Sequence, residues 1–247
     1  MSNLRRLIRN LGRTTSSGMG FQPARSTEHA TQLLVAAEVG SGPEAKAAVE
    51  AGAHVIVASV GAVTEAVAAA DGRPVGVRLE AASAEAIASA VAAGADFVVF
   101  DDERTPAVAL LSPHDAIREP LGRVLILGAD RDEERLRSVA ALGADAILID
   151  DVAAELTVRD QLSMRRISEL TGAPLAAGAA ATPSTDVLRT WRDAGAPVVF
   201  VRGDAERVRA AVVAAAQVPP QRRPRDDRAV LIPSLAPHTH DDEDDDD

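Results

Sequence analysis

Two textures alternate along the chain. Short runs rich in Val, Ile and Leu are separated by Ala-rich stretches whose apolar positions recur at helical spacing. The runs are Leu33–Val39, His54–Ser59, Val75–Glu80, Phe97–Asp101, Val124–Ala129, Ala146–Asp150, Leu175–Gly178 and Val198–Arg202. Runs that stay apolar at successive positions, without an in/out alternation, mark parallel strands covered on both faces. Gly52, Gly72, Gly94, Gly122, Gly143, Gly172 and Gly195 punctuate the pattern, each closing a helical stretch just ahead of an apolar run. Glycine tolerates the left-handed conformation that ends a helix, so these positions read as helix stops. Helix starts are visible too. Ser83 precedes Glu85; Ser112-Pro113-His114-Asp115 and Thr157-Val158-Arg159-Asp160 read as capping boxes. Pro113 and Pro183 suit a first helical position, and Asp204 suits an N-cap.

Eight strand–helix units predict a (β/α)8 barrel with parallel strands rather than an open doubly wound sheet. An open sheet would usually carry a glycine-rich turn after its first strand. Gly40-Ser41-Gly42-Pro43 lacks the third glycine, so no NAD fingerprint is present. Ala51-Gly52-Ala53, Ala93-Gly94-Ala95, Leu142-Gly143-Ala144 and Ala194-Gly195-Ala196 precede alternate strands. This alternation resembles the βα-pair repeat of aldolase-type and ribulose-phosphate-binding barrels, over most of residues 33–216. The likeness implies the fold and leaves the chemistry open. Residues 1–31 read as a basic helix and linker, 32–218 as the barrel, and 219–247 as a disordered acidic tail.

Composition narrows the chemistry. There is no cysteine, which excludes disulfides, thiolate metal sites and a cysteine nucleophile. Lys46 is the single lysine and sits mid-helix, so Schiff-base chemistry, PLP enzymes included, has no lysine at a strand end. Tyrosine is absent. Net charge is −11, and residues 29–217 carry 17 basic against 27 acidic side chains, which argues against nucleic acid as a partner. No apolar run is long enough to span a membrane and no secretory signal is visible, so a cytoplasmic location is expected. Leu4, Leu7, Ile8 and Leu11 recur at helical spacing with Arg5, Arg6, Arg9 and Arg13 between them. Such a helix over residues 4–13 either closes the barrel floor or docks on a protein partner, another copy of the chain, or an anionic membrane surface.

Barrel sites lie where the strands end. Those ends offer Glu38, Ser59, Arg78 with Glu80, Asp101 with Asp102, Gly128 with Asp130, Asp150 with Asp151, Gly178, and Arg202 with Gly203 and Asp204. Clustered carboxylates favour a divalent cation. Asp101, Asp150, Asp102, Asp151 and Asp130 draw, with Glu80, an acidic arc over the third to sixth strands and are therefore candidate ligands for Mg²⁺ or Mn²⁺; alternatively they cap helices and pair with loop arginines such as Arg104 and Arg131. Arg78, Arg202, Gly178, Gly203 and Ser59 are candidates to bind an anionic metabolite. His114 and Glu80 are candidates to move a proton, with Arg104–Ser112 as a candidate lid. Val77-Arg78-Leu79-Glu80, followed by Ala93-Gly94-Ala95-Asp96-Phe97-Val98-Val99-Phe100, is similar to metal-dependent pyruvate aldolases of the HpcH/HpaI type. In those a strand arginine faces a carboxylate substrate. The metal-binding glutamate motif of that family is not seen in Val124–Asp130. Two functions emerge as expectations. One is a metal-assisted lyase or isomerase acting on a carboxylated or phosphorylated metabolite. The other is a non-catalytic barrel that serves as a binding or scaffold module through its N-terminal helix.

Overall fold

A computed structural model describes residues 2–11, 31–79, 81–111 and 121–221, except the side chains of Leu111 and Asp151. Eight parallel strands close in the order β1 to β8, and β8 returns to pair with β1. The strands are β1 (Leu34–Val39), β2 (Val55–Ser59), β3 (Val75–Arg78), β4 (Phe97–Asp101), β5 (Gly122–Ile126), β6 (Ala146–Val152), β7 (Leu175–Ala179) and β8 (Val198–Arg202). Helix α1 (Asn3–Arg9) precedes them. Between and after them lie α2 (Gly42–Glu50), α3 (Val63–Ala69), α4 (Ala84–Ala92), α5 (Glu133–Ala140), α6 (Val158–Thr171), α7 (Thr185–Asp193) and α8 (Ala205–Ala216). After β4 the described chain has only a short 3-10 stretch, Ala107–Leu111. The expected helix start at Ser112–Asp115 lies outside the described residues.

Apolar surface is buried in two shells. Between strands and helices sits the larger one, with Ile56, Leu136, Ile147, Leu175, Leu188 and Trp191 among its members. The smaller fills the barrel with Leu34, Ala36, Val55, Val57, Phe97, Val99, Leu148 and Phe200. With few aromatic residues, one ring does much of the filling. Phe97 is fully buried, and Gly76 and Gly122 flank it because a Cβ at either would strike its atoms.

Six of the seven expected helix-stop glycines have positive φ; Gly122 does not. It opens β5, two residues earlier than expected, and is glycine to make room beside Phe97. Pro183 is corrected likewise. Ser184 caps α7 and Thr185 is the first helical residue, so the proline stands before the cap. Thr157 and Asp160 form the expected capping box, and Ser83 and Asp204 cap α4 and α8.

Helix α1 closes the floor. Leu4 is buried with the interior shell, and Leu7, Ile8 and Leu11 pack against it. Ser2 caps the helix and donates to Asp145 at 2.5 Å, and Asn3 donates to Asp96 at 2.5 Å. The apolar face of the helix is thus spent on the barrel, leaving Arg5, Arg6 and Arg9 outward. Among the described residues, no helix is long and apolar enough to cross a membrane.

His54 also serves the floor. Its Nδ1 accepts from the Val35 amide at 3.1 Å. Burial lowers its pKa below 6.5, and the Arg73 guanidinium lowers it further. The unfolded chain therefore takes up a proton at a higher pH than the fold does. Stability from this residue is fully kept above about pH 6.5 and lost as the pH falls from there towards the lowered folded value. Urea unfolding at several pH values should show a shallower loss between pH 6.5 and 5 in His54→Gln than in wild type; parallel curves would refute the assignment.

Candidate functional site

Strand parity decides what the barrel mouth displays. The interior shell takes Leu34 and Ala36 from β1, Val55 and Val57 from β2, Phe97 and Val99 from β4, Ala146 and Leu148 from β6, and Val198 and Phe200 from β8. Side chains alternate along a strand. One step further up each strand, the inward positions are Glu38, Ser59, Asp101, Asp150 and Arg202. Gly76 is inward on β3, which puts Arg78 on the same side.

Four of these side chains form a closed ring. Arg78 Nη1 donates to Glu38 Oε1 at 2.8 Å, and Arg78 Nη2 donates to Asp150 Oδ2. Arg202 Nε donates to Glu38 Oε2 at 2.7 Å, and its Nη2 donates to Asp150 Oδ1 at 3.0 Å. Each carboxylate divides its two oxygens between two guanidinium groups, and the ring is neutral. Closure of the barrel makes it possible, because Glu38 and Arg202 are register neighbours across the β1–β8 seam. Solvent still reaches it: side-chain exposure is 14% for Glu38 and 47% for Arg202. Beside the ring lies a cavity of about 360 Å³ lined by Glu38, Val39, Val57, Ala58, Ser59, Arg78 and Arg202.

The other candidates fall elsewhere. Asp101 turns back on its own loop and accepts from the Arg104 amide at 2.8 Å and from Arg104 Nε at 2.9 Å. Asp102 points the other way and pairs with Arg135 of α5 at 2.8 Å, with Asp130 3.9 Å from the same guanidinium. The described members of the acidic arc expected over β3 to β6, Asp101, Asp102, Asp130 and Asp150, are thus divided among arginines. Among the described residues, no three His, Asp or Glu side chains converge as ligands for a metal ion. The carboxylates described do not fit a divalent-cation site. Glu80 and His114 lie outside the described residues, as does the Asp151 side chain.

Gly178 is buried within β7, and Gly203 comes directly after β8 with a φ of 130°. Asp204 spends its side chain on the α8 amide of Arg207 at 2.9 Å. Arg207 in turn donates to the carbonyl of Ala180, tying the loop after β7 to the start of α8. Neither Glu38 nor Arg207 stood out from the sequence as a binding residue. For Glu38 the available signal was its place at a strand end; for Arg207 there was none beyond the i+3 spacing from Asp204.

The closed ring of eight parallel strands with helices around it defines a (β/α)8 barrel. Its structure is similar to that of KGPDC from Streptococcus mutans, with a TM-score of 0.62 at 11% identity, covering 76% of this chain and 99% of that one. Thiamine phosphate pyrophosphorylase from Pyrococcus furiosus gives 0.56 at 15% identity over 76% and 97%. Tryptophan synthase from M. tuberculosis gives 0.58 at 13% identity over 78% and 94%. No protein-family model matches the sequence. No curated protein matches it.

Proposed function

We propose that the barrel mouth binds a small carboxylated or phosphorylated metabolite and that the chain is a lyase or isomerase acting on it. The observation that carries this reading is the pair of arginines, Arg78 and Arg202, held across the mouth beside a cavity of metabolite size. Structural neighbours named for a phosphate ester and for an amino acid lend support at the level of fold.

The ring suggests partner exchange. Guanidinium groups bind carboxylate and phosphate in the same two-pronged geometry. An incoming anion takes over donors now facing Glu38 or Asp150, and the displaced carboxylate is left beside the bound substrate. A carboxylate so placed can accept a proton from a substrate carbon or hydroxyl and return it at a neighbouring atom, or after a bond has broken. No step is routed through a metal ion.

Thermal unfolding tests this with pyruvate, ribose 5-phosphate and inorganic phosphate as probes, at matched ionic strength. At least one should stabilise the wild type saturably. Arg78→Gln with Arg202→Gln should weaken that response about ten- to a hundred-fold, since each charge-assisted hydrogen bond contributes roughly 1.5–3 kcal/mol. Absence of any saturable response, or an equal response in a folded double variant, would overturn the reading.

One observation favours a non-catalytic barrel instead. All four carboxylate oxygens of the ring already face an arginine nitrogen, as in a clamp whose work is to hold the strand ends together. Under that reading none of the probes binds. A scaffold role would then have to use the outward arginines of α1, because its apolar residues are covered.

A further inference from the structure

Away from the mouth, α6 and α7 leave a cationic groove of about 620 Å³ on the outer wall, lined among others by Arg165, Arg189, Arg192, Asp193 and Gln221. Arg165 and Arg189 are exposed. Arg192 is buried, and it holds the departing chain by donating to the carbonyl of Pro219 while pairing with Asp193 at 2.7 Å. The groove therefore sits where the chain leaves the barrel. A neighbouring cavity shares Arg192, Pro220 and Gln221 and extends to Leu11, beside α1.

Beyond Gln221 the chain has a distinct order of charge. Residues 222–228 carry four arginines and two aspartates, residues 229–240 carry no acidic or basic residue apart from two histidines, and residues 241–247 are acidic throughout. A basic base, a neutral spacer and an acidic end form the pattern of a segment that can turn back on its own root. We infer that the acidic run Asp241–Asp247 docks in the Arg165–Arg189 groove of its own chain.

Two physical arguments support this occupant over an external one. First, complementarity: three arginines against one aspartate in the groove meet seven carboxylates. Second, proximity. A random coil of the 19 residues between Gln221 and Asp241 would have a root-mean-square span of about 24 Å, and its start is fixed at the groove itself. Tethering of this kind gives an effective concentration on the order of millimolar, so weak ionic contacts suffice. Such contacts are screened by salt, with a Debye length of about 10 Å at 0.1 M and about 3 Å at 1 M.

The absence of cysteine makes a single spin label straightforward. Full-length Asp244→Cys carrying a nitroxide should broaden the amide resonances of residues 161–165 and 189–193 at 50 mM salt. That broadening should disappear at 1 M salt and in the same protein bearing Arg165→Glu and Arg189→Glu. Broadening that is absent, persists in the charge-reversed protein, or is centred on residues 5–9 of α1 would overturn the inference. So would broadening seen only when labelled, isotope-free protein is mixed with unlabelled ¹⁵N protein, because the tail would then dock on another copy.

Discussion

Converting both ring acids to amides, Glu38→Gln together with Asp150→Asn, should tighten anion binding at the barrel mouth about ten- to a hundred-fold. In the wild type a ligand must take guanidinium donors from carboxylates that hold them at 2.7–3.0 Å in three of the four contacts. An amide oxygen accepts a weaker hydrogen bond than a carboxylate and carries no charge, so the exchange becomes easier by roughly 1.4–3 kcal/mol. The ligand-free variant should be less stable than wild type, because two guanidinium groups then face each other without compensating charge. Anion should restore that stability. Isothermal titration with whichever probe stabilises the wild type gives the affinities. Weaker binding in the amide variant would mean that Glu38 and Asp150 position the ligand, and the exchange idea would be abandoned.

The largest effect on stability is expected from a single methyl group. Gly76→Ala places a Cβ 2.1 Å from Phe97 Cε2 and 2.3 Å from its Cζ. The backbone at Gly76 is ordinary extended strand, so the penalty is steric. Retreat is blocked, since Phe97 is fully buried and the opposite glycine, Gly122, lies against its Cβ. Overpacking typically costs about 1–3 kcal/mol and occasionally more, and this contact belongs at the upper end. With about 2–4 °C lost per kcal/mol in a domain of this size, Tm should fall by roughly 6–12 °C. Phe97→Leu in the Gly76→Ala background should recover part of that, as contacting residues couple. Gly61→Ala, where a Cβ meets no atom within 4 Å, is the control and should change little. A Gly76→Ala protein as stable as the control would show that the ring has room to move.

Most of the barrel was legible because its cues are local. A helix-stop glycine or an N-cap serine acts within one turn, so Gly52, Gly94, Ser83 and Thr157 could be read in place. Gly122 was misread for the same reason. Its demand comes from Phe97, a neighbour across the sheet, and a single sequence does not show which pressure keeps a glycine small. The mouth was half legible. Arg78, Asp150 and Arg202 could be picked out as polar ends of apolar strands. Glu38 could not be set apart, because its importance arises only when β1 meets β8 and brings residues 38 and 202 together. Two members of the acidic arc are taken up by competing interactions: Asp101 has an arginine three residues on, and Asp102 has one on α5.

Helix α1 has a consequence for the order in which the molecule assembles. It is made long before its seat exists. Ser2 bonds to Asp145 and Asn3 to Asp96, and Leu4 enters a shell that includes Val198 and Phe200 of the last strand. Contacts so distant in sequence form late. Helix α1 precedes every strand that forms its seat and should therefore be among the last elements to find its place. Until it does, the barrel interior lies open to water from below, and the apolar face of α1 stays exposed to the same solvent.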